Sequence, residues 1–265
     1  MGGRDEVAGT VRPVRSVGHD VAHESHWVGE ALLRPGVLAF AGAAGPTEAH
    51  AHHAVQVMIA DTPLHVTDAT GWTVRGTRLV VPADVTHRID VGSARATFVY
   101  LDPDTPAGRR AGALGAVTWA QPSLLVRIVD APLADVLSTI VDEFGRHVSP
   151  APHGHPVVHA AVKYLADRVA AGPVGTAEVA AVIGLSTSRL THLFTAEIGL
   201  PLRRYVLWLR LMIAFRAVAD GADLTSAAHG AGFTDSAHLT RTCKAMFGLA
   251  PSVMRSGIDV IVDAS

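Results

Sequence analysis

The sequence contains a single cysteine, Cys243, among 265 residues. An intramolecular disulfide is therefore excluded, and this cysteine usage is typical of a protein in a reducing compartment. No apolar run approaches the roughly 20 residues that a membrane-spanning helix needs, and the N-terminal segment has no signal-peptide core. These absences predict a soluble, cytoplasmic protein without a membrane partner.

A strong net charge is also absent, because 22 basic residues nearly balance 24 acidic ones. The two signs are unevenly distributed. Residues 1–155 carry 12 basic and 16 acidic residues, whereas residues 156–255 carry 10 basic and 6 acidic ones. A basic C-terminal half favours contact with phosphate groups, and an acidic N-terminal half does not. The length predicts two domains or one large one, and the charge places any nucleic-acid contact in the second half.

The C-terminal half contains an internal repeat. Residues 176–200 and 224–249 align through Gly184 and Gly232, with one extra residue in the second copy. In each copy a short helix ends at this glycine, which can adopt the left-handed conformation of a sharp turn. A second helix with one apolar and one polar face follows. One such unit is often an ordinary helical hairpin, but two copies at this spacing predict paired helix-turn-helix units that bind DNA.

The candidate DNA-contacting residues lie at the start and on the polar face of the second helix of each unit. Ser186 and Thr234 are the predicted N-caps of these helices. The polar side chains are short or cationic and can reach base edges or phosphates in a major groove. The full set is Ser186, Ser188, Arg189, Thr191 and His192 in the first unit, and Thr234, Ser236, Ala237, Thr240, Arg241 and Lys244 in the second.

One long helix is predicted between the two units. Residues 201–222 combine regularly spaced apolar positions with four arginines, and Gly221 ends the pattern. A helix of about 17 residues is about 25 Å long at 1.5 Å per residue. That length suits a spacer between two recognition helices that enter successive faces of the major groove.

The C-terminal half resembles the DNA-binding domain of the AraC/XylS family of transcription regulators in three runs, AEVAAVIGLSTSRLTHLF, RLMIAFRAV and AGFTDSAHLTRTCKAMFGLAPSVMR. The resemblance implies a double helix-turn-helix domain over residues 156–257, double-stranded DNA as a partner, and RNA polymerase as a further partner of an activator. Leu239 and Cys243 depart from the phenylalanines usual in the family, and Ala227 departs from a larger aliphatic residue.

The N-terminal half reads as a small β-domain. Residues 21–101 contain short runs rich in β-branched and aromatic residues, punctuated by glycine, proline and aspartate, which predict a barrel or sandwich. Two segments are similar to the paired motifs of the cupin barrel. His50–Gln56 matches H-x-H-x3-[E/Q], and Gly76–His87 matches G-x5-P-x-G-x2-H with Asp84 at the second glycine.

These resemblances imply an α+β protein of two domains. A flexible arm at residues 1–20 precedes a cupin-like β-barrel with a helical dimerisation segment at residues 21–148, and the all-α double helix-turn-helix domain follows. Residues 147–155 are the predicted linker, and residues 256–265 are a predicted loose tail.

His50, His52, Gln56 and His87 are the candidate effector site. Residues 50, 52 and 56 share one face of a strand, and a hairpin would bring His87 opposite them. Three imidazoles and an amide oxygen can bind a divalent transition metal, with Zn, Ni, Co, Cu or Fe(II) as candidates. The same residues can instead line a metal-free pocket that hydrogen-bonds an organic effector, so no cofactor is certain. His53 points to the opposite face in this register.

An amphipathic helix is predicted in the segment that follows Pro132. Its apolar stripe runs at helical spacing through Leu133, Val136, Leu137, Ile140, Val141 and Phe144. The stripe either packs on its own barrel or joins a second subunit in a homodimer, as the resemblance implies.

Taken together, these features predict a sequence-specific DNA-binding transcription regulator whose cupin-like domain senses a small molecule or a metal ion, and which is not an enzyme. The alternative is a metal-dependent cupin enzyme of the dioxygenase or isomerase type, fused to a DNA-binding module. It would use the same four side chains with an open coordination position, but no acid–base partner stands out in the sequence. The effector, the operator and the sign of regulation do not follow from the sequence.

Overall fold

The computed structural model describes residues 27–34, 36–124, 131–145, 155–198 and 200–262. The predicted arm at residues 1–20 and most of the predicted linker lie outside the described residues. Within them, no helix combines the length and the apolar character that crossing a membrane requires.

The N-terminal part is rich in strands. They are β1 (Val28–Arg34), β2 (Val37–Ala44), β3 (Val55–Asp68), β4 (Thr73–Val81), β5 (His87–Val91) and β6 (Ser93–Leu101). The hydrogen-bonded order is β4-β3-β6-β2-β1, with β5 paired to the second half of β3. All these pairs are antiparallel.

A closed cupin-like barrel is not confirmed. In the described part of the chain, the path of paired strands ends at β4 on one side and at the C-terminal strand on the other, so the sheet is open. The coarser prediction, a sheet-rich N-terminal region followed by a helical C-terminal region, is confirmed.

The two faces of the sheet serve different cores because side chains alternate along each strand. Val55, Val57 and Ile59 of β3 pack with α1 (Pro106–Gly115) and α2 (Leu133–Gly145) on one face. Met58 belongs to the core on the opposite face, which the C-terminal helices complete.

The predicted dimerisation stripe lies in the chain's own core. Five side chains of α2 are buried against α1 and the sheet face that carries Val55, Val57 and Ile59. They are Leu133, Val136, Leu137, Ile140 and Phe144. Of the two alternatives for this stripe, the structure therefore shows packing on its own domain. A homodimer stays a prediction, but these five side chains do not form its interface.

The C-terminal helices have the order that the repeat predicts. They are α3 (Pro156–Val169), α4 (Thr176–Ile183), α5 (Thr187–Ile198), α6 (Leu202–Ala219), α7 (Leu224–Gly230), α8 (Ser236–Phe247) and α9 (Pro251–Gly257). The first unit is α4–α5, the second is α7–α8, and the linker helix α6 has 18 residues. Both turn glycines have positive φ, 76° at Gly184 and 79° at Gly232, as the sharp turns require.

The two units have different cores. The first unit packs with α3 and part of α6 in a separate cluster that includes Leu190 and Phe194. The second unit shares one hydrophobic cluster with the sheet face that carries Met58. In this cluster Leu239, Cys243 and Phe247 pack with Phe98. Leu239 and Cys243, which depart from the family's phenylalanines, are therefore fully packed.

The predicted loose tail is wrong over residues 258–262, which form β7 (Ile258–Val262). This strand pairs in parallel with β1, from Gly29 opposite Ile258 to Leu33 opposite Val262. After the second helix-turn-helix unit and the short helix α9, the chain thus returns to the N-terminal sheet as a strand.

Replacing Ile140 by alanine tests the position of the α2 stripe. Ile140 is fully buried, and such a truncation lowers the free energy of unfolding by about 2–5 kcal/mol. Ser138→Ala, at an exposed site on the same helix, is the matched control and should change it by less than about 0.5 kcal/mol. Urea unfolding measures both. An Ile140→Ala protein of unchanged stability would contradict the placement of this side chain in the core.

Candidate functional site

The first recognition helix is α5, and its predicted contact residues are open to solvent. The Ser186 hydroxyl accepts a hydrogen bond from the Arg189 backbone N–H at 3.3 Å, which confirms Ser186 as the N-cap. All five predicted contact residues are exposed, namely Ser186, Ser188, Arg189, Thr191 and His192. Their exposure leaves this face of the helix free to enter a groove.

The second recognition helix is α8, and its cap differs from the prediction. Asp235 rather than Thr234 caps it, because the Asp235 carboxylate accepts a hydrogen bond from the His238 N–H at 2.6 Å. The extra residue in the second copy moves the cap one position along the chain. The Thr234 hydroxyl instead lies 3.0 Å from Nδ1 of His238.

The predicted contact residues of α8 divide into two groups. Thr234, Ala237 and Arg241 are exposed, while Ser236, Thr240 and Lys244 are half-buried. Lys244 Nζ donates to Glu48 Oε1 at 2.8 Å, so this cation pairs with the N-terminal domain, and its predicted contact with DNA stays a prediction. Arg241 is therefore the free cation on the described surface of α8.

Arg241→Ala tests the groove face of α8. If Arg241 contacts a base, its loss should cost about 1–3 kcal/mol of DNA-binding free energy. Lys244→Ala is the matched control, because it removes a cation from the same helix that already pairs with Glu48. Titration of the full-length protein with operator DNA, at one fixed salt concentration, measures both. An equal loss in the two variants would show that only overall charge matters.

The four predicted effector residues meet at one place. The ring centroids of His50 and His87 are 4.3 Å apart, and His52 lies 5.2 Å from His87. One ring nitrogen from each of the three histidines lies within 4.8 Å of the others. Gln56 Oε1 is 3.2 Å from Nε2 of His52 and 2.9 Å from Nε2 of His87.

The backbone that brings these residues together differs from the single strand that was expected. His50 and His52 precede β3, which begins at Val55. His50 is held instead by an isolated antiparallel bridge to His87, in which each backbone N–H donates to the other's carbonyl at 2.9 Å. The four motif residues therefore converge as predicted, although only Gln56 of the three expected on one strand lies on β3.

The hydrogen bonds fix the tautomer of each ring. Nδ1 lies 2.9 Å from the Glu48 carbonyl in His50, 2.7 Å from the Ala54 carbonyl in His52, and 2.9 Å from the Val85 carbonyl in His87. A carbonyl oxygen can only accept, so each Nδ1 carries the proton. Each neutral ring therefore presents the Nε2 lone pair.

Burial keeps these rings neutral. It lowers the pKa of His50 to about 3, with a smaller contribution from neighbouring His52. Burial also lowers the pKa of His52 and that of His87. Neutral imidazoles whose Nδ1–H groups are anchored on backbone carbonyls are the form in which histidine binds a metal.

Gln56 connects the two rings to Tyr100. Its Oε1 is an acceptor that faces the lone pairs of His52 and His87, while its Nε2 donates to the Tyr100 hydroxyl at 3.1 Å. A cation among the lone pairs satisfies this set. Without one, a 180° rotation of the amide would let its NH₂ group donate to both rings, and the Tyr100 hydroxyl would become the donor. Tyr100 is a member of this hydrogen-bond network that the sequence motifs did not identify.

Residues 48–53, the histidine segment, support the end of α8. The Glu48 N–H donates to the Gly248 carbonyl at 3.0 Å, and the Ala51 N–H donates to the Ala245 carbonyl at 3.1 Å. The ring of Phe247 lies 5.5 Å from that of Tyr100. The candidate effector site and the second recognition helix are thus in direct contact.

An apolar cavity of about 320 Å³ lies between the sheet and the second helix-turn-helix unit. Trp27, Phe40 and Tyr100 line it from the sheet side, and Phe215 and Phe247 line it from the helical side. Arg255 and Asp259 also border the cavity. Because its walls come from distant parts of the chain, no local sequence pattern predicts it.

Comparison with known proteins gives one family match. Residues 179–257 match the family model described as "Helix-turn-helix domain". Among curated proteins, none matches the chain.

Solved structures give a match over most of the chain. Apo ToxT K231A from Vibrio cholerae strain SCE256 has a TM-score of 0.53 at 10% identity, covering 84% of this chain and 97% of its own. ToxT from Vibrio cholerae O395 bound to (E)-4-(8-methylnaphthalen-1-yl)but-3-enoic acid has a TM-score of 0.51 at 8% identity, covering 82% and 97%. An AraC-type DNA-binding protein from Chromobacterium violaceum has a TM-score of 0.36 at 24% identity, covering 38% and 90%. The ToxT likeness shows a shared fold, a sheet-rich region followed by a helical one.

Proposed function

The chain carries an AraC-type helix-turn-helix domain, and from this premise we propose that it is a cytoplasmic transcription regulator whose N-terminal domain binds an effector that controls DNA binding. The partners in this proposal are double-stranded DNA, a second copy of the chain, and RNA polymerase if the protein activates. The observation that carries it is the direct contact between the histidine segment and the end of α8.

This contact is specific in shape as well as in hydrogen bonding. Gly248 ends α8 with a φ of 67°. A Cβ atom on it would lie 2.4 Å from the Glu48 carbonyl oxygen and 2.7 Å from Nδ1 of His50. Only a glycine therefore allows the segment and the helix to approach this closely.

A change at the histidine cluster would reach DNA by shifting a population. Two recognition helices must face successive major-groove segments roughly 34 Å apart. The N-terminal domain holds α8 at Glu48 and Ala51 and through β7, which restricts the orientations open to the second unit. An effector that moves the histidine segment would favour one orientation over another, and it can do so only by as much as its affinity for the two differs.

A divalent transition metal fits the cluster. Nε2 of His50, His52 and His87 would bind it together with Oε1 of Gln56, and the bound ion would supply a positive charge to four acceptors that otherwise face one another. An amide in place of a carboxylate makes the site one negative charge poorer. Weak, exchangeable binding follows, which suits a sensor better than a permanent structural ion.

The enzyme alternative lacks support in the surroundings of the cluster. Catalysis would need a general acid or base beside the metal, with a pKa near the working pH. Tyr100 is the titratable group that bonds to Gln56, and burial raises its pKa further above its usual range. Turnover of a substrate by the purified protein would favour the enzyme.

The apolar cavity supports a second candidate effector, a small apolar molecule. Its residues come from both domains, so a bound molecule would contact the sheet and the second unit at once. Arg255 at its border suits an apolar carboxylate, and ToxT has been solved with a butenoic acid derivative. Tyr100 connects the cavity to the histidines through Gln56, so the two candidate effectors would act on the same contact.

Metal binding is tested on the full-length protein with Co²⁺, whose visible absorption reports coordination. We expect binding by the native protein and its loss in His87→Ala, which removes one of three ring ligands. Gln56→Glu should bind about tenfold more tightly, because it adds a negative charge beside the ion. His65→Ala, a histidine on β3 outside the cluster, is the matched control. The same affinity in the native protein and in His87→Ala would rule out this site.

Gly248→Ala tests the contact between the domains. The new Cβ would collide with the Glu48 carbonyl, so hydrogen exchange at residues 47–51 should become faster. Gly184→Ala is a matched control, because Gly184 has a similar φ of 76° but nothing within 4 Å of the added Cβ. Both variants bear the left-handed strain of about 1–2 kcal/mol. Equal exchange at residues 47–51 in the two proteins would contradict a rigid contact at Gly248.

A further inference from the structure

A second group of potential metal ligands lies beside the histidine segment. It consists of His53, Asp102 and Asp104, and one ligand atom from each residue lies within 4.8 Å of the others. None of these residues belongs to the cluster of His50, His52 and His87. His53 follows His52 directly, and its side chain contacts Tyr205 of α6, with ring centroids 5.5 Å apart.

The sheet explains why these residues meet. Strands β3 and β6 are antiparallel, and Val55 at the start of β3 pairs with Leu101 at the end of β6. Residues just before β3 and just after β6 must therefore share one end of the sheet. His53 comes from the first segment, and both aspartates come from the second, in the turn that leads into α1.

The hydrogen bonding of this group is incomplete. His53 is 1% exposed, and neither ring nitrogen has a hydrogen-bond partner among the described residues. Oδ2 of Asp84 lies 3.6 Å from Nδ1 of His53, which is longer than a hydrogen bond. Oδ2 of Asp104 is also buried without a partner in the described structure. Buried polar atoms are nearly always paired, so unpaired ones at a single point indicate a missing ion or ligand.

The charges around the group favour a cation. Burial, followed by the neighbouring charge of Asp102, raises the pKa of Asp104 to about 6. Tyr205 also faces these carboxylates, and its pKa is raised by burial and then by Asp102 and Asp104. His53, then Arg109 and His159, lower the pKa of Asp104 as smaller effects. A divalent ion between the two carboxylates would offset their repulsion.

We propose that His53, Asp102 and Asp104 bind a divalent cation of the Mn²⁺ or Fe²⁺ type. Two carboxylates and one imidazole combine the oxygen donors that Mn²⁺ prefers with a nitrogen donor that suits first-row transition metals. This donor set carries two negative charges, whereas the cluster at His50 carries none. The two sites therefore differ in the ions they favour.

The position of the site gives it a structural consequence. Tyr205 packs against His53 on one side and against Phe194 of α5 on the other, where the ring centroids are 5.4 Å apart. A cation bound at His53 would therefore stabilise the packing of this end of the sheet against α6 and, through Tyr205, against α5. This role does not depend on the effector proposed for the histidine cluster.

The test is Mn²⁺ binding by the full-length protein, followed by electron paramagnetic resonance of free and bound ion. We expect one bound Mn²⁺ whose dissociation constant rises about tenfold or more in Asp104→Asn. His87→Ala, which disables the other cluster, should leave this ion in place. The bound ion should show hyperfine coupling to a histidine nitrogen, and His53→Gln should abolish that coupling.

Asp135→Asn, which removes a carboxylate from the exposed side of α2, is the matched control and should leave Mn²⁺ binding unchanged. If Asp104→Asn fails to fold, Asp102→Asn carries the same expectation. Failure of the folded native protein to bind Mn²⁺ at millimolar concentration would overturn the proposal. Binding that His87→Ala abolishes, or that Asp104→Asn and His53→Gln leave unchanged, would overturn it as well.

Discussion

The apolar core that the sheet shares with the second helix-turn-helix unit is the interaction on which the rest of this structure depends. Phe247 at the end of α8 stacks on Trp208 of α6 at 5.9 Å and also faces Tyr100 of the sheet. Trp208, Phe247 and Tyr100 are buried in one core that includes residues of both domains, so separating α8 from the sheet would expose apolar surface. The cost of that exposure, about 25 cal/mol for each Å² of apolar surface, sets the energy scale on which an effector must act.

That core also explains why the histidines are neutral. Phe247 and Trp119 cover the cluster, which removes it from water and lowers the pKa of His50 to about 3. A buried polar group is stable only when it is paired. Gln56 lies between these rings and the Tyr100 hydroxyl, so a change in its amide orientation would also change the hydrogen bond to Tyr100.

Local sequence patterns predict those parts of the fold that depend on only a few neighbouring residues. The turn glycines, the linker helix and the four effector residues were predicted because backbone conformation and motif spacing determine them. Lys244 has no local feature that distinguishes a DNA contact from a pair with Glu48, which lies 196 positions away. The sequence of β7 does contain a local signal, since four of its five residues, Ile258, Val260, Ile261 and Val262, are β-branched. The open edge of β1, which receives it, could not be inferred from that segment.

Linkage gives the domain contact a consequence that runs in both directions. If an ion or molecule at the histidine cluster changes the affinity for DNA by some factor, DNA must change the affinity for that ligand by the same factor. His53 lies on the same short segment but contacts Tyr205 of α6, which packs on Phe194 of the first unit, whereas His50 contacts the end of α8. The segment from His50 to His53 thus contributes residues to both potential ligand sites and lies beside both α6 and α8. A ligand at either site would change the relative position of the two units only by as much as its affinity differs between their possible arrangements.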